Sequence, residues 1–251
     1  MTQAVILAAG RGSRMLTTTQ NQPKCMVRLA GKTLLEWQIE ALKKAGIKDV
    51  FVVGGYFAHL LENTEYHLLL NSDWNQSNMV SSLCCAQEIL KQKETIISYA
   101  DIVYNPEIIT KLLNSSKDIS ITYDLLWQDL WQERFDNPLE DIEKFRIHEG
   151  EILEIGGRPS SLKQVEGKYM GLLKLTPNGW SHIYEVLNSM QEDRRRKIDM
   201  TTLLQYLIKS NISIYGVPIS GKWCEVDCPE DLYYYEQRIK ETKKWTHDWR
   251  M

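Results

Sequence analysis

The sequence predicts an α/β fold built on a mixed, mainly parallel central sheet, and three observations support this prediction. Short apolar runs recur along the first half of the chain. Glycine-rich or polar turns follow these runs, and segments with apolar residues at helical spacing lie between them. Strands that alternate with helices in this way form βαβ units, whose strands pair in parallel.

The N-terminal part of the chain shows the pattern most clearly. Residues 4–9 form a continuous apolar run, which is typical of a strand covered on both faces. The glycine-rich turn 10–14 ends this strand. Residues 33–45 carry apolar side chains at helical spacing and stop at a glycine, so they are predicted to be a helix. Residues 50–53 are predicted to be the next buried strand.

The alternation continues and then weakens after residue 123. We therefore expect a substrate-shaping insertion over residues 124–200, within a single domain spanning 1–251, because no linker, repeat or low-complexity tract divides the chain. The remaining predicted elements are strands at 67–70, 95–100, 119–123, 169–175 and 212–217, a hairpin of 145–147 with 151–155, and helices at 79–90, 106–113, 180–190, 200–208 and 229–244.

The composition excludes several classes of protein. With 30 Lys+Arg and 33 Asp+Glu the net charge is −3, which gives no electrostatic attraction to nucleic acid or an anionic membrane. No run approaches the roughly 18 apolar residues that span a bilayer, and the N-terminus lacks the pattern of a secretory signal. We expect a cytoplasmic protein. Five cysteines without a CxxC pair, and five dispersed histidines, favour neither a disulfide framework nor hydrolase chemistry.

The first candidate site is the glycine-rich sequence LAAGRGSRM at residues 7–15, followed by Pro23-Lys24. Glycines after a buried strand allow backbone N–H groups to converge on phosphate oxygens, and Arg14 and Lys24 add positive charge. The dinucleotide fingerprint is incomplete because Met15 stands where its third glycine would be, and no Walker GK[ST] follows. The pattern predicts a different kind of phosphate-binding loop.

Separated carboxylates form the second candidate site. Asp101 directly follows the predicted strand 95–100, and Glu225 and Asp227 are two residues apart, which places them on the same face if they lie in a strand. Hard oxygen ligands of this kind suit Mg²⁺. An isolated aspartate at a strand end is otherwise a turn or cap residue.

The glycine loop with its following PK resembles the signature of sugar-phosphate and choline-phosphate nucleotidyltransferases. The resemblance implies a Rossmann-like nucleotidyltransferase fold, a Mg²⁺ cofactor, and catalytic roles for Arg14 and Lys24. It further implies phosphate binding by Gly10 and Gly12, and contacts of the backbone at Leu7, Ala8 and Ala9 with the base and ribose. The metal ligands it implies are Asp101 and Asp227, with Glu225 as a further ligand or as a partner of these ligands. The chain lacks the proline usual shortly after the loop, which we expect to alter the shape of the loop.

Residues 71–83, NSDWNQSNMVSSL, resemble the branch of this family that uses CTP. The further nucleotide-binding candidates are Gly54, Gly55, Asn78, Ser82 and Ser98. A simple helix cap is the alternative interpretation of the polar loop.

The acceptor site is expected in the insertion. Aromatic faces attract quaternary ammonium groups, which makes Trp127, Trp131 and Tyr169 candidates for a choline-type acceptor. The segments 97–104, 134–141 and 169–172 resemble cytidylyltransferases of surface-polysaccharide pathways, including enzymes that act on phosphorylated glutamine. For such a zwitterionic acceptor the candidates are Arg134, Glu140, Asp141 and Asp199, and a solvated or structural charge is the alternative interpretation of each.

These patterns predict transfer of CMP from CTP to a phosphorylated non-sugar small molecule, with release of pyrophosphate. Phosphocholine, 2-aminoethylphosphonate and phosphoglutamine are the acceptors considered. One alternative is a sugar-1-phosphate nucleotidyltransferase that uses UTP or dTTP, and another is a non-catalytic nucleotide-sensing protein. The run Tyr233–Tyr235 is a candidate for helix packing or a homodimer contact.

Overall fold

A nine-stranded mixed sheet organises the part of the protein that the computed structural model describes, residues 2–241 and 244–250. Two-stranded sheets also pair β13 with β7 and β2 with β3, in the numbering that follows. The strands are β1 (Gln3–Ala8), β2 (Arg28–Leu29), β3 (Lys32–Thr33), β4 (Val50–Gly54), β5 (His67–Leu70), β6 (Thr95–Tyr99), β7 (Ile102–Tyr104), β8 (Ile119–Asp124), β9 (Phe145–His148), β10 (Glu151–Ile155), β11 (Lys168–Leu175), β12 (Tyr215–Ile219) and β13 (Trp223–Glu225).

The strands of the large sheet lie in the order β5-β4-β1-β6-β11-β8-β12-β10-β9. β11 runs antiparallel to β6 and β8, and β10 runs antiparallel to β12 and β9. The other strands of this described sheet point in one common direction. The prediction of a mixed, mainly parallel sheet is therefore confirmed, as is the predicted hairpin of β9 and β10.

Helices cover the sheet, and α1 shows why they form where they do. It begins with a capping box, in which the Thr33 hydroxyl accepts from the Glu36 N–H and the Glu36 carboxylate accepts from the Thr33 N–H. No helix within the described ranges has the length and apolarity needed to cross a bilayer. The α-helices are α1 (Leu34–Lys44), α2 (Met79–Cys84), α3 (Gln87–Leu90), α4 (Pro106–Leu113), α5 (Trp127–Arg134), α6 (Pro177–Ser189), α7 (Glu192–Lys197), α8 (Met200–Lys209) and α9 (Pro229–Arg238).

The sheet separates two apolar cores. All residues of β1 are buried, and successive side chains of a strand point to opposite faces. Ala4 and Ile6 accordingly belong to the core on one face, whereas Val5 and Leu7 belong to the core on the other. This arrangement explains why the strand is a continuous apolar run rather than an alternating one.

Three predicted elements differ from the structure. The predicted helix 79–90 is interrupted after Cys84, where Ala86 leaves helical geometry, and resumes as α3. The predicted strand 212–217 is shifted, because the pairing of β12 with β8 runs from Tyr215 to Ile219. The predicted helix 229–244 ends at Arg238, with Ile239 as its C-cap; residues 242 and 243 lie outside the described residues.

Asp124, at the end of β8, joins three parts of the chain. Its side chain is fully buried and accepts hydrogen bonds from the Gly221 N–H and the Trp223 indole N–H, both at 2.9 Å. His247 Nε2 lies 2.9 Å from Asp124 Oδ2. The carboxylate therefore fixes the segment before β13, and with it the residues that follow β13, to the end of the sheet.

Asp124→Asn is expected to lower the free energy of unfolding by about 2–4 kcal/mol at pH 7, because buried donors lose a charged acceptor. Burial raises the pKa of Asp124, but the contacts with His247, Gly221 and Trp223 outweigh burial and hold it below its ordinary value. The stabilisation by the Asp124 carboxylate should thus be complete at pH values above the pKa of aspartate in the unfolded chain, ~3.9. It should be lost as the pH falls through the lower pKa of Asp124 in the folded protein. Urea unfolding from pH 7 to pH 3 measures this; parallel stability curves for the two proteins would contradict it.

Candidate active site

Two neighbouring cavities open at the carboxyl ends of the parallel strands, the edge where open α/β sheets bind ligands. The first, named the glycine-loop cavity, has a volume of about 300 Å³ and is lined mainly by the 7–14 loop, Lys24 and segments 77–79 and 99–101. The second, named the insertion cavity, has a volume of about 430 Å³. It is lined by residues that include segments 140–143 and 168–171, Arg158, Thr201, Glu225 and Asp227. Arg14 and Tyr99 line both cavities.

The glycine loop is shaped by a close approach to Lys24. Gly12 has a left-handed φ of 69°, a conformation that favours glycine. A Cβ atom at Gly12 would lie 2.8 Å from Lys24 Cβ, so any larger residue would displace the lysine. The Thr19 hydroxyl donates to the Gly12 carbonyl at 3.0 Å and closes the loop. The glycine at position 12 is therefore required both by backbone conformation and by the path of Lys24.

Lys24 connects two carboxylates that are far apart in sequence. Its Nζ lies 2.8 Å from Asp101 Oδ2 and 2.9 Å from Asp227 Oδ1, and Arg14 Nη2 donates to Asp227 Oδ1 at 2.7 Å. Burial alone lowers the pKa of Lys24, but Asp101 and Asp227 outweigh burial and raise it. Burial raises the pKa of Asp227, but the neighbouring Lys24 and Arg14 outweigh burial and lower it. Two basic side chains therefore face two carboxyl groups at this point.

The segment with Asp227 is positioned differently from the prediction. β13 ends at Glu225, so Asp227 lies beyond the strand and strand alternation does not place it. Instead, the Val226 N–H donates to the Asp101 carbonyl at 2.8 Å, and the Asp227 N–H donates to Asp231 Oδ2 at 2.7 Å. The first of these bonds ties the two carboxylate segments together.

Asp101 has an oxygen available for a further ligand. Its Oδ1 is buried and has no hydrogen-bond partner among the described residues. Mg²⁺ is commonly bound by one or two carboxylates, with phosphates and water completing its shell. Asp101 and Asp227 fit this requirement.

The role expected for Glu225, as a metal ligand or as a partner of the two ligands, stays a prediction. Within the described ranges no three His, Cys, Asp or Glu side chains are grouped to hold a metal. Glu225 Oε2 instead lies 3.9 Å from both Arg134 Nη1 and Lys168 Nζ. Glu225 lines the insertion cavity.

Arg134 supports the carboxylate segment and does not line the insertion cavity, contrary to the prediction for it. Its side chain is 2% exposed and forms a bidentate pair with Asp231 at 2.8 and 2.9 Å. Asp231 Oδ2 in turn accepts from the N–H groups of Asp227 and Cys228. The buried pair therefore holds the loop that carries Asp227.

Three other predicted acceptor residues also have structural roles. Trp127 and Trp131 are 2% and 0% exposed and belong to the apolar core, because their spacing of four places them on the same buried face of α5. Asp199 caps α8 by accepting from the Thr202 N–H at 2.7 Å and from the Thr202 hydroxyl at 2.9 Å. Tyr169, Glu140 and Asp141 do line the insertion cavity.

The predicted nucleotide-binding residues divide into two groups. Leu7, Ala8, Ala9, Gly10, Gly12, Asn78 and Ser82 line the glycine-loop cavity.

Gly54, Gly55 and Ser98 lie outside that lining. A Cβ atom at Gly55 would meet Trp74 Cβ at 2.6 Å, and one at Gly54 would meet Leu61 at 3.1 Å, so both glycines permit close packing. Ser98 is fully buried and donates to Gln38 Oε1 at 2.9 Å. These three residues therefore have structural roles, and their nucleotide-binding roles stay predictions.

Sequence reasoning did not select several of the residues that line the cavities. Trp74 and Tyr99 line the glycine-loop cavity, and Glu143, Arg158 and Lys168 line the insertion cavity. Trp74 and Tyr99 lie within segments already singled out by resemblance. For Arg158 the available signal was the preceding pair Gly156-Gly157, which forms a left-handed turn.

The comparison with known proteins agrees with this geometry. A family model described as the MobA-like NTP transferase domain matches residues 4–129. The chain is 39% identical over 245 residues to CTP:phosphoglutamine cytidylyltransferase of Campylobacter jejuni subsp. jejuni serotype O:2. That similarity covers 91% of this chain and 97% of the relative.

Solved structures share the fold over nearly the whole chain. The inositol-1-phosphate CTP transferase from T. maritima has a TM-score of 0.77 at 20% identity and covers 97% of this chain and 98% of its own. CTP:phosphocholine cytidylyltransferase from Streptococcus pneumoniae has a TM-score of 0.68 at 22% identity, with coverage of 95% and 99%. The prediction of a Rossmann-like nucleotidyltransferase fold is confirmed.

Proposed function

The chain belongs to the family of MobA-like NTP transferases, and from this membership we propose that it transfers CMP from CTP to a phosphorylated small molecule, with phosphoglutamine as the favoured acceptor. The observation that carries the proposal is the junction of the two cavities. There, Lys24 bridges Asp101 and Asp227, and Arg14 contacts Asp227. The identity of the acceptor is supported by the relative that is 39% identical over most of both chains.

Each cavity has one substrate in this proposal. CTP occupies the glycine-loop cavity, with its triphosphate along the loop and its base toward Asn78 and Ser82. The acceptor occupies the insertion cavity, with its phosphoryl group toward Arg14. Because Arg14 lines both cavities, it lies where the two phosphate groups meet. Holding two mutually repelling anions in contact is a large part of such a reaction's barrier.

The reaction is an in-line displacement at the α-phosphorus of CTP. A phosphoryl oxygen of the acceptor forms the new bond to the α-phosphorus, the bond from that phosphorus to the bridging oxygen of the β-phosphate breaks, and pyrophosphate leaves with the electron pair. The nucleophile is already anionic and needs no general base. Lys24 and Arg14 stabilise the negative charge that develops on the α-phosphoryl group.

Asp101 and Asp227 would hold Mg²⁺, consistent with the buried, unpartnered Oδ1 of Asp101. A bound Mg²⁺ ion supplies Lewis-acid stabilisation to phosphoryl oxygens. Both carboxylates also restrain the Lys24 ammonium, which keeps it directed toward the junction of the cavities.

Ser82 is proposed to contribute to nucleotide binding. It is 4% exposed, lines the glycine-loop cavity, and its oxygen accepts from Asn71 Nδ2 at 3.0 Å. Since the oxygen already accepts one bond, its proton is directed to another acceptor, such as a cytosine ring nitrogen or carbonyl. Asn78 differs, because its side chain caps α2 and donates to the Lys197 carbonyl.

Ser82→Ala is expected to raise KM for CTP by about 3- to 10-fold, because the variant loses one neutral hydrogen bond, which contributes ~1 kcal/mol. Its effect on kcat should be smaller. Ser81→Ala is the matched control, because the Ser81 hydroxyl donates to the Arg196 carbonyl outside the cavity lining. Steady-state kinetics with CTP varied give the comparison, and equal KM values for the two variants would refute the role of Ser82.

The proposed function is tested by pyrophosphate release in the presence of Mg²⁺. Each of the four NTPs is combined with phosphoglutamine, phosphocholine, 2-aminoethylphosphonate and several sugar-1-phosphates, with EDTA controls. We expect turnover with CTP and phosphoglutamine, abolished by EDTA. Turnover confined to sugar phosphates with UTP or dTTP would replace the proposal by a sugar nucleotidyltransferase, and the absence of turnover throughout would refute it.

A further inference from the structure

The insertion cavity contains charged groups of both signs. Lys168 Nζ lies 3.9 Å from Glu225 Oε2 and 4.9 Å from the centre of the Trp131 ring. The other charged groups of the lining, apart from Arg14 and Asp227 at the junction, are the carboxylates of Glu140, Asp141 and Glu143 and the guanidinium of Arg158. The cavity can therefore offer both an acidic and a basic contact.

Arg158 is held at the rim of this cavity by the shape of its loop. Gly156 and Gly157 both have left-handed φ, at 85° and 74°. A Cβ atom at Gly156 would lie 2.4 Å from the Gln205 side chain, so the turn packs tightly against α8. Arg158 itself is exposed and forms no hydrogen bond, ion pair or ring contact with the residues that the structure describes. Its guanidinium can therefore contact a ligand in the insertion cavity.

The acidic wall lies next to the proposed reaction centre. Asp141 Oδ1 is 4.0 Å from Arg14 Nη1, so this carboxylate adjoins the residue that both cavities share. Burial raises the pKa of Asp141. Glu143 is exposed and lines the same cavity. A cationic ligand group between the two carboxylates would relieve the cost of burying the Asp141 charge.

Tyr169 provides a further sign that the cavity binds a polar ligand. Its side chain is buried, at 7% exposure of the residue, and lines the cavity. Its hydroxyl has the Tyr99 side chain as its hydrogen-bonding neighbour among the described residues, at a geometry too poor for a full hydrogen bond. A polar ligand atom beside this buried hydroxyl would give it a well-formed hydrogen bond.

We propose that the insertion cavity recognises an α-amino-acid group on the acceptor, with Arg158 binding its carboxylate and Asp141 and Glu143 binding its ammonium group. This inference rests on the proposed function and assigns the residues that select its acceptor. A quaternary ammonium acceptor fits less well, because Trp127 and Trp131 are buried in the core and supply no open aromatic cage.

The test combines variants with acceptors that lack one charged group. The acceptors are phosphoglutamine, its analogue without the α-carboxylate (N-phosphoryl-4-aminobutanamide) and its analogue without the α-amine (N-phosphorylglutaramic acid). The variants are Arg158→Met and Glu143→Gln, both at exposed positions. Arg146→Met is the control, since Arg146 is an exposed arginine of β9 outside the cavity lining. Measuring kcat/KM for each pair separates recognition from a general structural effect.

Arg158→Met is expected to lower kcat/KM for phosphoglutamine about 10- to 100-fold, the range of a charge-assisted hydrogen bond, and to leave the analogue without the carboxylate within about twofold of wild type. Glu143→Gln should likewise affect the acceptors that carry the amine and spare the analogue that lacks it. The inference is overturned if a variant lowers kcat/KM for all three acceptors by the same factor, or changes kcat/KM for none of them. It is also overturned, with the proposed function intact, if the wild type uses phosphoglutamine and both analogues equally well. If the wild type releases no pyrophosphate with any acceptor, the proposed function itself fails and the inference falls with it.

Discussion

Asp227→Asn is expected to reduce kcat with CTP and phosphoglutamine by at least about a thousandfold, in the range seen when a preorganised charge is removed from a transition state. Asp227 Oδ1 accepts from both Arg14 and Lys24, so an uncharged amide weakens both contacts and removes one proposed Mg²⁺ ligand. The fold should persist, because the Asp227 N–H remains held by Asp231. Binding of CTP should therefore change much less than kcat.

Single-turnover kinetics and calorimetric titration with CTP separate these two effects. Asp49→Asn is the matched control, since Asp49 is exposed and pairs with Lys93 at 3.2 Å away from the cavities. A kcat for Asp227→Asn within tenfold of the control, in a folded protein, would remove Asp227 from the reaction.

Lys24→Met is expected to lower kcat/KM by about 10³- to 10⁴-fold. The substitution keeps most of the side-chain volume but removes the only described cation within 4.0 Å of Asp101. Asp101 and Asp227 then lose the ammonium group that both of them contact, and the α-phosphoryl group loses a stabilising cation. Both consequences act on the transition state, so the loss should appear mainly in kcat.

Lys91→Met provides the control for Lys24→Met, because Lys91 is exposed and pairs with Glu88 at 2.7 Å on the surface. Steady-state pyrophosphate release measures the rates, and near-ultraviolet circular dichroism verifies the fold. If Lys24→Met instead raises KM alone and keeps kcat, Lys24 serves binding in the ground state rather than charge stabilisation in the reaction.

The sheet and the glycine loop could be predicted because their signals are local. The unbroken apolar run of β1 reports burial on both faces, and Gly12 reports a backbone angle that other residues rarely adopt. The strand boundaries of β12 were less accurate, since they depend on its pairing with β8, which is distant in sequence. Fold class followed from repetition of local patterns, whereas register depended on tertiary contacts.

The acceptor site could not be predicted at the level of residues, because the sequence does not show which polar groups satisfy each other. Arg134 is an example: its charge suggested a ligand contact, but Asp231, 97 residues away, accepts hydrogen bonds from its Nε and Nη2. Trp131 similarly suggested an aromatic contact, but helical spacing directs it into the core. Arg158 was not selected, because only the folded structure shows that its charge has no partner among the described residues.

The most direct test of the proposed CMP transfer follows the oxygen that forms the new bond. Phosphoglutamine labelled with ¹⁸O in its phosphoryl group is incubated with unlabelled CTP, Mg²⁺ and the enzyme, and the products are identified by mass spectrometry and ³¹P NMR. We predict a CMP–phosphoglutamine conjugate that retains all of the label, including in the bridging oxygen, together with unlabelled pyrophosphate. Label in pyrophosphate or free phosphate, or no conjugate at all, would contradict attack by the acceptor oxygen on the α-phosphorus of CTP.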